Sequence, residues 1–254
     1  MHGAAGRMGR RILELANEDS DTFHVVGGVD TTARPLRELG IACDAEVTTS
    51  LPVSTGSVVI DFSHVSTSEG VITHCGEHRM PLVMGTTGHD PAERDRLLNE
   101  AAKRVAVLWA PNMSIGVNVV FQIAARIAQT LGTDYDIEIV EAHHHHKVDA
   151  PSGTAHGMAD AICEATGRTR SDLVYGREGQ TGARRKGEIG VHALRMGDVV
   201  GDHTAYFVGN GERILLGHVA HSRDIFARGA LRAAAFLDGK PPGRYTMADV
   251  LGLK

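Results

Sequence analysis

The segment Glu141-Ala142-His143-His144-His145-His146-Lys147-Val148-Asp149-Ala150-Pro151-Ser152-Gly153-Thr154 concentrates side chains that can move protons and hold anions. Histidine is the usual general acid near neutral pH, and Lys147 adds a positive charge and a second donor. Ser152-Gly153-Thr154 leads into a helix expected from about Thr154 to Ala165. The first N–H groups of such a helix suit a carboxylate, Gly153 permits close approach, and Pro151 fixes the turn before it. The chemistry implied is proton delivery beside an anion site. A small, multiply anionic substrate that needs both a proton and a hydride fits it. A metal site is the rival reading. Adjacent residues on a strand point to opposite faces, and zinc ligands are usually two to five residues apart, so no metal is expected. A merely solvated histidine run would leave the following Lys and helix start unexplained.

A second constellation opens the chain: Gly3-Ala4-Ala5-Gly6-Arg7-Met8-Gly9. Glycines at this spacing let backbone N–H groups approach a pyrophosphate, and the helix behind them adds a favourable dipole. Asp30 ends the next apolar run, about 20 residues on, where a carboxylate can hold ribose hydroxyls. This pattern predicts dinucleotide binding; a tight turn with close helix packing is the alternative. Only Met1 and His2 precede Gly3. The central strand, usually about 5 residues long, is therefore expected to be almost absent, with a misassigned or shortened start as the favoured reading.

The elements that must position these residues alternate in the first part of the chain. A helix is expected over Arg7–Ala16, and strands over Phe23–Val29, Ser57–Phe62, Pro81–Met84 and Val105–Trp109. Ser66 to Glu69 has capping-box spacing, and Asp90-Pro91-Ala92-Glu93 is a strong helix start. Strand–helix alternation predicts a doubly wound parallel sheet. The second part reads as α+β. It has an apolar helix over Ser114–Leu131, a half-exposed strand over Tyr135–Val140 and a polar stretch over Gly167–Gly187. Strands follow over Ile189–Arg195, Thr204–Val208 and Arg213–Val219, the last two joined by a hairpin at Gly209-Asn210-Gly211-Glu212. A helix over Ser222–Leu237 closes the reading.

Composition bounds the function. The 254 residues have 42% hydrophobic and 22% charged residues and a formal net charge of −5, which disfavours an electrostatic nucleic-acid binder. The sequence shows neither an apolar run of membrane-span length nor a secretory h-region, so no membrane partner is expected. Cys43, Cys75 and Cys163 are far apart and read as reduced thiols of a cytoplasmic protein.

With these motifs in order, the chain resembles the dihydrodipicolinate reductases. The resemblance rests on Gly3 to Gly9, Gly85-Thr86-Thr87-Gly88, Ala110 to Asn118, Glu141 to Thr154 and Arg177 to Gly182, and it covers nearly the whole chain. It implies a Rossmann-type dinucleotide-binding domain over 1–113, completed by 222–254. It also implies an α+β substrate-binding domain over 114–221, whose mixed, largely antiparallel sheet forms a homotetramer. The implied reaction is reduction of 4-hydroxy-tetrahydrodipicolinate by NADH or NADPH, with loss of water, in lysine and diaminopimelate biosynthesis. By the same resemblance His143 and Lys147 are catalytic, and His144, Gly153 and Thr154 bind a small dicarboxylate substrate. Gly3, Ala4, Ala5, Gly6, Arg7, Met8, Asp30, Gly85, Thr86, Thr87, Ala110, Pro111, Asn112 and Met113 line the cofactor. His145 receives no role. Asp30 followed by Thr31 favours NADH, while Arg7 or Arg34 could serve NADPH, so both cofactors stay open. A semialdehyde dehydrogenase would need an activated cysteine, and Cys163 has no activating partner nearby in sequence. A nucleotide-sensing regulator predicts a broken His–Lys pair, which is intact here.

Overall fold

Gly9 decides where the first helix can begin. A Cβ there would stand 2.0 Å from the carbonyl oxygen of Gly3, so only glycine lets α1 (Arg7–Glu18) start directly over the loop. Ile12, Leu13, Leu15 and Ala16 then fall on the buried side of α1. In this computed structural model, which describes residues 1–253, the chain forms two compact units. One comprises Met1–Ile115 with the chain from Asp224 on, the other Gly116–Arg223.

The first unit continues as β1 (Gly28–Val29), β2 (Arg34–Pro35), β3 (Glu46–Thr48), β4 (Val59–Asp61), α2 (Ser68–Glu77), β5 (Leu82–Met84), α3 (Pro91–Ala102) and β6 (Ala106–Trp109). Asp90 caps α3 as expected, accepting from Glu93 N–H at 2.9 Å, with Pro91 in the first turn. The capping box at Ser66 does not form. His64 Nδ1 instead accepts from Ser66 N–H and caps a short 3-10 turn, so α2 starts at Ser68 without a side-chain cap.

The second unit holds α4 (Ile115–Leu131), β7 (Asp136–His143), α5 (Gly153–Thr166), β8 (Leu173–Tyr175), β9 (Ile189–Arg195), β10 (Gly201–Val208) and β11 (Arg213–Ala220). Its sheet runs β11-β10-β7-β9-β8. The two antiparallel pairings, β10 with β11 and with β7, are long; β7–β9 and the short β8–β9 pairing are parallel. The expected hairpin is present, with Gly209 N–H donating to Glu212 at 3.0 Å and Gly211 at φ +89°. β7 reaches His143, further than the alternation predicted, and β8 lies inside the stretch read as polar loop. By length and apolar content α4, with the turn after it, could cross a bilayer. One face of it, Val120, Ala124 and Ala128, packs with Ile137, Ile139 and Phe207, as in an amphipathic helix laid on a sheet.

The chain returns to the first unit as α6 (Asp224–Leu237), β12 (Gly243–Tyr245) and α7 (Met247–Leu251). A Cβ at Gly229 would lie 1.7 Å from the Met113 carbonyl oxygen, so glycine lets α6 close on that backbone. The sheet here has two parts, β1-β3-β2 and β12-β6-β5-β4, all parallel except β2–β3. His2 bridges them, pairing with Val29 on one side and Asp61 on the other, and Met1, Gly3 and Ala4 add backbone bonds to Val29. Of Phe23–Val29, expected as one strand, only Gly28–Val29 pair, and no ladder runs along Phe23–Gly27 among the described residues. Met1 donates its ammonium to the Gly27 carbonyl at 2.9 Å, and burial pushes that amine down to about 6. Beside it lies a trough of about 540 Å³ lined by Phe23, Val25, Val58, Ile60, Leu231 and Ala234.

Candidate active site

In the second unit, the alternation of β7 puts Glu141 and His143 on one face of the sheet. Both are buried, Glu141 completely. Nδ1 of His143 lies 2.7 Å from Glu141 Oε2. Arg195, from β9, grips the same carboxylate with two N–H groups at 2.8 and 2.9 Å and donates to the Asp149 carbonyl. Ser152 N–H donates to Glu141 Oε1 at 2.9 Å. Burial alone would raise Glu141, but bonds from Arg195, His143 and Ser152 outweigh it and hold the carboxyl below its usual range. Ser152 also caps α5, its Oγ accepting from Ala155 N–H at 3.1 Å and lying 2.9 Å from His203 Nε2. His203 is pushed down to about 4 by burial and then by neighbouring His143, whose ring it meets edge-on at 5.1 Å.

The histidine run divides here. His143 is buried, His144 is partly buried, and His145 and His146 are exposed in a turn with their rings 3.9 Å apart. Burial, then the charge of Arg223, lowers His144 from its ordinary value. Lys147 is ion-paired with Asp149 at 2.8 Å, a partner the sequence did not reveal. Gly153 begins α5 and is exposed, with nothing within 4 Å of where a Cβ would stand. Thr154 follows it in the first turn. Glu141, Arg195, Ser152 and His203 were missed as site residues. Glu141 and Ser152 lie within the motif itself, whereas Arg195 and His203 reach it from strands distant in sequence.

In the first unit a cleft of about 540 Å³ is lined by Gly3, Ala5, Gly6 and Asp30 together with His2, Thr31, Phe62, Ser63, His64 and Thr67. No side chain caps α1, which leaves the N–H groups of its first turn, Arg7 and Met8 included, for an anion. Ala4 is buried beneath the loop. Asp30 accepts from Ala5 N–H and Thr31 N–H, each at 2.8 Å. Burial would raise Asp30, but these bonds win and hold it below the ordinary carboxylate range. The glycine loop and the placed carboxylate fit the pyrophosphate and ribose of a dinucleotide.

Asp61, at the end of β4, is the buried centre of this region and was missed from sequence. It accepts from Ser63 Oγ and Thr86 Oγ1, each at 2.6 Å, and lies 2.7 Å from His2 Nδ1. A carboxylate at the C-terminal end of a parallel strand was the available signal. Thr86 also accepts from Ser63 N–H, so its hydroxyl serves the interior, while Thr87 is exposed. Gly85 leaves room for the Phe62 ring, which a Cβ would approach to 2.3 Å. Ala110 N–H donates to Met84, Pro111 is exposed, Asn112 Oδ1 accepts from Ser114 N–H, and Met113 is buried.

Two family descriptions match along the chain: dihydrodipicolinate reductase, N-terminus, over residues 1–113, and dihydrodipicolinate reductase, C-terminus, over residues 116–251. The chain belongs to the dihydrodipicolinate reductase family. Among relatives in it, a 4-hydroxy-tetrahydrodipicolinate reductase of Myxococcus xanthus is 47% identical, covering 99% of this chain and 96% of the relative. Another, of Pelobacter propionicus, is 45% identical and covers 99% and 97%. A dipicolinate-bound dihydrodipicolinate reductase from a Paenisporosarcina species shares the fold, with a TM-score of 0.76 at 22% identity over 98% of this chain and 96% of that one. An aspartate dehydrogenase from Thermotoga maritima does so more distantly, with a TM-score of 0.53 at 12% identity over 94% and 95%. Family and fold together make this a nicotinamide-dependent oxidoreductase with a Rossmann-type sheet.

Proposed function

We propose that this chain reduces 4-hydroxy-tetrahydrodipicolinate to tetrahydrodipicolinate, with loss of water, in lysine and diaminopimelate biosynthesis. The observation that carries the proposal is the joint hold of Glu141 on His143 and on Ser152 N–H, which sets a proton donor beside the first turn of α5. Once the 4-hydroxyl has left as water, ring carbon 4 is the electrophilic end of a conjugated imine, and a nicotinamide held here would supply the hydride to it. The electron pair this pushes into the conjugated system is taken up by a proton from His143, with Lys147 as the second donor. His144, Gly153 and Thr154 hold the substrate, with the first turn of α5 facing a carboxylate. Asp149 holds the Lys147 ammonium at 2.8 Å until a substrate anion competes for it.

Gly3 to Met8, Asp30, Gly85 to Thr87 and Ala110 to Met113 hold the cofactor. We assign NADH as the better one, because ionised Asp30 repels a 2′-phosphate and Thr31 offers no counter-charge. The middle domain assembles the homotetramer. Leu194, Met196, Val208, Ile214, Leu215 and Val219 are exposed on its sheet and suit burial between copies. The unpaired Cys43, Cys75 and Cys163 fit a cytoplasmic location.

The test is oxidation of NADH and of NADPH with substrate made freshly from pyruvate and aspartate semialdehyde by the upstream synthase. Oxidation that depends on that synthase, faster with NADH, is expected. Its absence with both cofactors sinks the proposal.

A further inference from the structure

Glu141 has its acceptor capacity filled, and one of its partners is the ring of His143. Its two oxygens meet the His143 ring, two N–H groups of Arg195 and the Ser152 N–H. Arg195 already balances the carboxylate charge, so His143 need not be protonated to keep the pair neutral. An ionised carboxylate only accepts hydrogen bonds, so Nδ1 of His143 must carry a proton toward it. The proton that comes and goes is then the one on Nε2. Among the described residues Nε2 has no hydrogen-bond partner, and it faces Gly201, where an added Cβ would stand 3.0 Å away. The other charged or titratable groups around the ring are His203 on β10, His144 and Lys147 with Asp149 in the following turn, and Arg195 on β9.

We infer that Glu141 is a positioning residue that fixes His143 as the Nδ1–H tautomer, with Nε2 presented to the substrate, and that Arg195 keeps Glu141 from taking the proton itself. The inference rests on the reading of His143 as proton donor and adds which atom donates and what orients it. The same carboxylate holds Ser152, so one group sets the donor and the first turn of α5 in common register.

The first test reads the wild-type protein. Its nitrogen-15 imidazole spectra, with the His143 signal assigned by its absence in H143N, should show Nδ1 protonated and Nε2 free in the neutral ring. A predominant Nε2–H tautomer overturns the inference. The second test is E141Q/R195Q, which removes both charges together and so avoids a buried unpaired arginine. Gln can turn either its C=O or its N–H toward Nδ1 and so no longer selects one tautomer. The expected result is a kcat roughly 10²-fold lower, an unchanged NADH Kd, and a mixture of tautomers at His143 in the same spectra. A variant that unfolds cooperatively like wild type yet keeps its kcat and the single Nδ1–H tautomer also overturns it. Wild-type protein that does not turn over the substrate counts against the proposed function instead, and the tautomer spectrum still decides the role of Glu141.

Discussion

Asp61 and Glu141 are both fully buried carboxylates, one in each unit, yet they are held in different ways. Asp61 ends a three-residue strand and collects two hydroxyls and an imidazole, with no arginine or lysine among its described ion pairs. Glu141 lies in an eight-residue strand paired along both edges and is gripped by the fork of Arg195. The difference suits the task proposed for each region. A cradle for an anionic cofactor would need loops tied together, which hydroxyl donors do locally, and a centre that exchanges protons would need a neighbour that keeps its own charge, which a bidentate arginine secures.

The sharpest way to break this contrast is at the two proposed proton donors. H143A and K147A should each lower kcat by roughly 10²-fold or more while NADH binding stays the same, as titrated by nicotinamide fluorescence. Equal loss of cofactor affinity would erase the functional division between the two carboxylates. The buried environment of the second centre should also appear in acid. His203 is held at about 4 when folded, against an ordinary 6.5, so the unfolded chain takes up its proton first. Its contribution to stability is complete above about pH 6.5 and is lost as pH falls toward 4, by about 3 kcal/mol in all. Urea midpoints measured across that range should show the slope, and H203Q should flatten it.

A smaller effect is expected at the other carboxylate. D61N leaves one of its donors without an acceptor and should raise the NADH Kd about tenfold, with kcat at saturating cofactor unchanged. A fall in kcat instead would mean that both centres serve the chemistry. The smallest change is at Gly153, where a Cβ meets no protein atom within 4 Å. G153A should alter unfolding free energy by no more than about 0.5 kcal/mol, yet raise the substrate KM if a carboxylate approaches there.

The sequence placed the contiguous parts of both candidate sites. The glycine loop and Asp30 do line one cleft, the run from His143 to Thr154 does join the end of β7 to the start of α5, and Asp90 announced its helix by the same local spacing. The supports were not legible. Arg195 reaches Glu141 across 54 positions of sequence, and His203 reaches Ser152 across 51, through strand pairings that local pattern does not specify. The expectation of a long strand over Phe23–Val29 took apolar character for pairing, and a run forms a ladder only where a neighbour lies alongside. β8 and β12 are three residues each, too short for alternation to register.

Two half-sheets joined through one short segment, Met1 to Ala4, can part by local opening, at a free energy well below that of unfolding either. The amides of His2 and Gly3, which bond to Ile60 and Val29, should then exchange with solvent deuterium much faster than those in the middle of β7. A dinucleotide bound against Gly3 on one side and Asp30 on the other would slow that exchange. Cofactor occupancy would thus be written in minutes of protection at the amino end of the chain, before any chemistry takes place.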